Sequence, residues 1–399
     1  MLTRVVVAPS GFKESLSAQA AADAIADGVR RVLPDVVIDR IPLVDGGEGT
    51  AAALAAATGG RLVALPATGP VGEPVGTHFA LLGSRDRDTA VVEMAAVAGL
   101  SLVPRALRDP GATTTYGVGE LIRAALDTGV RRILVGCGDS GTSDGGAGAL
   151  QALGMRLLDA DGRELPRGGR ELTRLSRVDA RGLDPRLREV ELLVACNPYN
   201  VLCGVRGVAR VFGPQKGATP AQVEELSAGL ENWAKVLTRD LAITRTDLRY
   251  GDGTGASGGL GAGLAALGAR LLPRFEVLLA HLDLDARLAR ADLVVTAEGA
   301  MDHQTPRGKV PAEVARRAKL SGRPVLALAG TLGEGAHNVP GVDAFSGILP
   351  APMALTEALV RASELLTDAT ERALRMILLG ARLPAHAEVS GTQRPSSVR

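Results

Sequence analysis

Charge gathers on glycine-rich segments of this sequence, in the pattern an anionic ligand would need. The first such segment, Ser10-Gly11-Phe12-Lys13-Glu14-Ser15, puts a hydroxyl and a lysine on one turn. Lys13 is either a mobile point charge for phosphate oxygens, with Ser10 and backbone amides beside it, or a solvated lysine before a helix. The second segment, Asp45-Gly46-Gly47-Glu48-Gly49-Thr50, carries two carboxylates. They could coordinate Mg2+, which takes oxygen ligands and keeps several waters. One could instead take a proton from an attacking hydroxyl, or both could serve as turn and cap residues. The third runs from Gly136 to Gly148 and holds six glycines with Asp139, Ser140, Thr142, Ser143 and Asp144. Amides freed by Gly138 and Gly145 could crowd a phosphate or carboxylate, with Ser140 as a hydroxyl partner. Lys216, between Gly213 and Gly217, is another candidate phosphate ligand, against the plainer reading of a solvated turn lysine. The last segment places Glu298, Asp302 and His303 ahead of Lys309. His303 reads as a surface histidine.

These segments punctuate an alternation of strands and helices. Residues 3–8 form a continuous apolar run and 36–43 another, each followed by a charged loop and then a helix, 17–33 and 50–58. Continuous rather than alternating apolar strands indicate parallel pairing with helices on both faces. In such sheets ligands bind at the carboxyl ends of the strands, where these loops lie. Residues 61–93 change style to short alternating segments rich in glycine and proline, as in antiparallel hairpins. Helix–strand alternation resumes at 117–138, a helix is predicted over 220–239 with Trp233 packed inside, and residues 291–335 repeat the strand–loop–helix unit. A last helix is predicted over 353–379. The expected fold is α/β with two α/β domains. Residues 1–64 and 286–383 form a Rossmann- or flavodoxin-like domain from both chain ends, 65–285 form an insert with a mixed sheet, and 384–399 form a disordered tail.

Composition removes several function classes. The 399 residues hold 45 basic and 44 acidic side chains with no basic block, so nucleic acid is not an expected partner. No apolar span is long enough for a membrane helix and no signal peptide is evident, so a cytoplasmic protein is expected. Cys137, Cys196 and Cys203 form no CxxC pair and read as small buried residues. The sequence lacks a Walker lysine motif, a GxGxxG turn after the first strand, a GxSxG elbow and any Cys/His metal cluster. From residues alone the reading is an α/β enzyme that handles an anionic, phosphorylated ligand with a divalent cation.

Seven segments, in this order, resemble the bacterial glycerate kinase family. They are APSGFKESLSA (8–18), PLVDGGEGT (42–50), SDGGAGALQALG (143–154), FGPQKGAT (212–219), GASGGLGAGLAALGA (255–269), TAEGAMDHQTPRGKVPAEVARRAK (296–319) and APMALTEAL (351–359). The resemblance covers residues 1–380 and implies phosphorylation of glycerate by ATP with Mg2+, leaning to the 2-phosphate; a homodimer is kept as an open expectation beside it. On that reading Lys13, Asp45, Glu48, Asp144, Glu298 and Asp302 are catalytic, with Asp45 and Asp302 also metal ligands. Ser10, Gly138, Ser140, Gly145, Lys216 and Lys309 would then bind the nucleotide. The chain departs from the family pattern at Asn197, where an aspartate is common, and at Ala300, where an arginine is common. It also reads Gly138-Asp139-Ser140-Gly141-Thr142-Ser143-Asp144 where GGSATND is frequent, with Asp139 as a compensating charge. These departures leave a related hydroxy acid, or a ligand-binding homologue without turnover, as the alternatives.

Overall fold

The computed structural model describes residues 2–12 and 15–383, so the expectations for Lys13 and for the 384–399 tail lie outside the described residues. In chain order the strands are β1 (Arg4–Val7), β2 (Val37–Arg40), β3 (Arg61–Thr68), β4 (Pro74–Leu81), β5 (Thr89–Glu93), β6 (Arg132–Gly136), β7 (Arg156–Leu158), β8 (Arg177–Asp179), β9 (Glu191–Cys196), β10 (Arg270–Pro273), β11 (Leu293–Met301), β12 (Val325–Leu332) and β13 (Ala344–Gly347). One sheet has five strands in the order β13-β12-β11-β1-β2 and all its pairings are parallel. It is built from the two ends of the chain. The second has six strands, β10-β9-β6-β5-β4-β3, parallel from β10 to β5 and antiparallel at β4 and β3. β7 and β8 form a separate antiparallel pair.

The apolar run of β1 shows why the first sheet is buried on both sides. Val5 and Val7 pack with Ile25, Val295, Leu328 and Leu366 on one face, under the helices Ala18–Val32 and Ala362–Gly380. Val6 and Ala8 alternate to the other face. There they share a core with Val314 and Ala315 of the helix Val310–Leu320 and with Leu278 of the helix Arg274–Leu279. That core continues to Leu54, Val91, Leu134 and Leu193, which belong to the second sheet and its covering helix. The two sheets therefore close on a shared apolar layer. The outer face of the second sheet packs on Val118, Leu121 and Ile122 of the helix Tyr116–Asp127.

Sequence and structure differ in four places. The 64/65 division falls inside β3, whose eight residues Arg61–Thr68 all pair with β4. The helix Thr50–Thr58 also packs on the second sheet, so the chain changes sheet just after β2. Residues 297–301, expected as loop, continue β11 and stay paired with β12 as far as Met301–Leu332. Glu298 thus sits on a strand, opposite Ala329. The last helix is broken at Arg361, between Leu355–Val360 and Ala362–Gly380. Helix starts follow their caps: Ala20 N donates to Ser17 Oγ (3.1 Å), and Thr219 with Gln222 forms a capping box before the helix Pro220–Asp240.

Candidate active site

Within a parallel sheet all strands end on one edge, and here those edges of the two sheets meet around the 45–49 loop. That loop is pressed against the segment after β6. A Cβ at Gly138 would lie 2.6 Å from both Cα and N of Gly47, so Gly138 is required by backbone approach. Gly46 has φ +90° and its space is bounded by the Cys137 amide. Around Gly47 two carboxylates converge, because a Cβ there would overlap Asp139 Oδ2 and lie 3.2 Å from Asp45 Oδ1. Asp139 itself adopts a left-handed conformation (φ 49°), the kind of local strain that rigid surroundings hold at functional loops. The Glu48 amide donates to Asp139 Oδ2 (3.3 Å), while the Glu48 side chain is exposed.

Beneath this loop lies a carboxylate that the sequence reading missed. Glu93 ends β5, is buried, and accepts from Gly49 N (3.0 Å) and Ala51 N (2.9 Å) at the start of the helix Thr50–Thr58. Burial pushes it up to about 7, against the two amides, and the nearby Glu48 and Asp139 charges add to the rise. Its signal in the sequence was an acid closing the apolar run Thr89–Glu93 at a strand's carboxyl end.

On the first sheet, Glu298, Asp302 and Lys309 form one group. Lys309 Nζ donates to the Ala300 carbonyl (3.0 Å) and to Asp302 Oδ1 (3.4 Å), and lies 3.9 Å from Glu298 Oε2. That last distance is ion-pair range but too long for a hydrogen bond. Glu298 Oε2 is buried with no hydrogen-bond partner. Burial lifts the Glu298 carboxyl to about 7, and Lys309 offsets this only in part. For Asp302 burial acts upward too, but the Gln304 amide and Lys309 outweigh it and hold the group below the usual carboxylate range. His303 is exposed. Ser10 ties the β1 loop to this strand, its amide and Oγ both donating to the Ala297 carbonyl (2.9 and 3.2 Å).

Arg274, directly after β10 and first in the helix Arg274–Leu279, joins the two groups and was also missed by sequence. Its Nη1 donates to Asp45 Oδ2 and to the Asp45 carbonyl, both at 3.1 Å, and its Nη2 donates to the Gly308 carbonyl. Nothing but its place after Pro273 at a strand end could have marked it. Asp45 remains 44% exposed at its side chain, whereas Arg274 is 14% exposed.

Other expected site residues turn out to be interior. Asp144 is fully buried and accepts from Thr115 N (2.8 Å), Thr115 Oγ1 (2.9 Å), Gly146 N (3.1 Å) and Gly148 N (3.2 Å). It closes the starts of the helices Tyr116–Asp127 and Ala147–Ala152 and has no surface left for a substrate. Burial drives its carboxyl upward, opposed by those donors. Gly145 (φ +66°) lies against Trp233, whose Nε1 donates to its carbonyl (2.8 Å). Lys216 is 2% exposed rather than solvated, and donates to Ser140 Oγ (2.9 Å) and the Thr142 carbonyl (2.6 Å). Burial lowers it to about 7 while Asp144 acts the other way. Ser140 is thereby the outward end of an interior chain. The three cysteines are buried and free.

The arrangement brings Ser10, Asp45, Glu48, Gly138, Asp139, Glu298, Asp302 and Lys309 to the meeting edges, and leaves Asp144, Gly145 and Lys216 beneath them. A carboxylate poised near neutrality beside fixed cations can accept a proton from a hydroxyl while an anion is held. Among the described residues no group of three His, Cys, Asp or Glu forms a protein-only metal cage.

Comparison with known proteins identifies the family and the fold. The model of the glycerate kinase family matches residues 5–378. The chain is 45% identical to a glycerate kinase of Bacillus subtilis over 364 residues, 90% of this chain and 94% of that one. It is 42% identical to a glycerate 2-kinase of Escherichia coli, over 95% of this chain and 99% of the other. A crystal structure of a candidate glycerate kinase 2 from Salmonella typhimurium LT2 superposes with a TM-score of 0.78 at 44% identity, covering 96% of this chain and 100% of that one. With nearly the whole chain matched, the chain belongs to the glycerate kinase family.

Proposed function

We propose that this protein transfers the γ-phosphoryl group of ATP to glycerate, forming 2-phosphoglycerate, with ATP and Mg2+ as cofactors in a cytoplasmic homodimer. The observation that carries the reaction is Glu298. Its Oε2 is buried, without a hydrogen-bond partner and on a rigid strand, 3.9 Å from the Lys309 amine. A carboxylate in that state gains its missing hydrogen bond by accepting one from a substrate hydroxyl, and its raised affinity for a proton suits it to deprotonate that hydroxyl as the phosphoryl group transfers. Lys309 supplies fixed positive charge next to it, where charge on the transferring oxygens builds up. The 2-position rests on the similarity to the Escherichia coli glycerate 2-kinase. No helix among the described residues is long and apolar enough to cross a membrane.

The residues present fit a Mg2+ ion that is shared with phosphate. Mg2+ in phosphoryl-transfer sites takes one or two carboxylates plus substrate oxygens and waters, so a protein-only cage is not needed. Asp45, with its exposed oxygen, and Asp302 would hold it, and when bound it neutralises the nucleotide's phosphate charge. Asp45 and Glu48 stand at the loop that both sheets share, and their exposed carboxylates support a role at the point where the two substrates would meet. The test is ADP release with D-glycerate, tartronate and related hydroxy acids, with the product position read by phosphorus NMR. ATP turnover with 2-phosphoglycerate as product is expected. Turnover of another acid with none of glycerate refutes the proposal.

A further inference from the structure

Carboxylates crowd the meeting edges of the two sheets, yet the substrate proposed for this site is itself an acid. Asp45, Glu48, Asp139, Glu298 and Asp302 all present negative charge at the meeting edges of the sheets. A small acid entering there needs a cation that is held in place and has donors to spare. The Lys309 amine is committed to the Ala300 carbonyl and Asp302. Ala300 offers no charge of its own on β11.

Arg274 comes from the other sheet. Its guanidinium has five N–H donors in a planar fork, and the three bonds it makes here use Nη1 and Nη2 on three acceptors, the Asp45 carbonyl, Asp45 Oδ2 and the Gly308 carbonyl. The stem is fixed by its place directly after β10 and by the guanidinium lying 4.9 Å from the Phe275 ring centroid. Of its acceptors, the Gly308 carbonyl is fixed backbone next to Lys309, whereas the Asp45 carboxylate is 44% exposed and bound by one oxygen at 3.1 Å. That single bond is exchangeable: a substrate carboxylate can replace Asp45 Oδ2 at Nη1 and leave the backbone bonds intact. The guanidinium also acts electrostatically on Glu298, opposing the rise that burial gives its carboxyl.

We infer that Arg274 binds the carboxylate of the acid substrate and sets the preference for an acid acceptor, in place of a cation on β11 at position 300. This rests on the kinase reading above, so its test includes a readout that is independent of turnover. D-glycerate binding is measured by calorimetry, and steady-state kinetics with both substrates are recorded, for wild type, R274A, R274K and R274A/A300R. Replacing a charge-assisted guanidinium fork by alanine weakens carboxylate binding by about ten- to hundredfold. R274A should raise Kd and KM for glycerate by that factor, leaving KM for ATP within about twofold. R274K keeps the charge without the fork and should fall between. R274A/A300R should recover part of the affinity, because a guanidinium at 300 starts from the strand residue whose carbonyl already holds Lys309.

Glycerate binding by R274A or R274K within about twofold of wild type overturns the inference. So does an equal fall in ATP and glycerate affinity, which would mark Arg274 as a structural brace between Asp45 and Gly308. R274A/A300R no better than R274A counts against it as well. If the wild type binds glycerate but never phosphorylates it, the kinase reading fails and the calorimetric series still decides the role of Arg274.

Discussion

Replacing Glu298 by glutamine separates a catalytic base from a buried structural acid. The geometry sets both the size and the pH range of the effect. Glu298 Oε2 has no hydrogen-bond partner, and burial lifts its carboxyl from 4.5 to about 7. With a base titrating there, the ionised fraction is roughly one tenth at pH 6 and nine tenths at pH 8, so kcat/KM should rise about tenfold across that interval. The sign follows from the role, since the deprotonated form takes the proton and activity must grow with pH. A positioned general base contributes about 10²–10⁴-fold, so E298Q should lose that much kcat and show a flat profile from pH 6 to 8. Its melting temperature should match or exceed wild type, because an amide replaces a carboxylate whose burial is not repaid by a hydrogen bond. The assay is coupled ADP release over pH 5.5–9, with calorimetric melting of both proteins. Retention of kcat within about fivefold, or a wild-type profile already flat above pH 5.5, refutes the assignment. A large fall in melting temperature would show that Glu298 braces the strand instead.

Asp144 should behave in the opposite way. D144A removes a buried carboxylate that holds four donor groups on two helix starts and should cost about 3–5 kcal/mol in urea unfolding. Fully folded D144N, measured below its melting temperature, should keep kcat within about tenfold. G138A should damage the cleft without touching a charge, because its methyl group would meet the Gly47 backbone at 2.6 Å. The expected outcome is a loss of about 1–3 kcal/mol together with at least a tenfold loss of kcat/KM, checked by melting and kinetics. Glu93 predicts a pH dependence of stability. Its carboxyl rises from 4.5 to about 7 on folding, so the native state binds the proton more tightly and stability falls as pH rises through that window, by up to roughly 3 kcal/mol. E93Q should abolish that slope, seen as a wild-type-minus-mutant difference in unfolding free energy that changes between pH 4.5 and 8 and is constant above.

Legibility in the sequence tracked how local the cause was. The helix starting after Ser17 and the one after Thr219 were readable because a cap acts within three residues. β1 was readable because a strand buried on both faces must be apolar throughout. The end of β11 was not readable: Ala297-Glu298-Gly299-Ala300 has loop chemistry, and it stays extended because β12 pairs with it across the register. Lys216 read as a phosphate ligand or a solvated turn lysine, and its burial was not readable because its acceptors, Ser140 and Thr142, are over seventy residues away in sequence.

The glycine-rich acidic segments, their positions after strands and the kinship they carry were determined by sequence alone, since each is a property of neighbouring residues in order. Which of those acids face the cleft was decided only by the tertiary structure. Asp45 and Glu298 reach the shared edge, Asp144 turns inward to satisfy amides, and Glu93 and Arg274 arrive from strand ends that carried no motif. The physical reason is that an acid's role depends on whether burial leaves it with donors, and its donors come from segments distant along the chain.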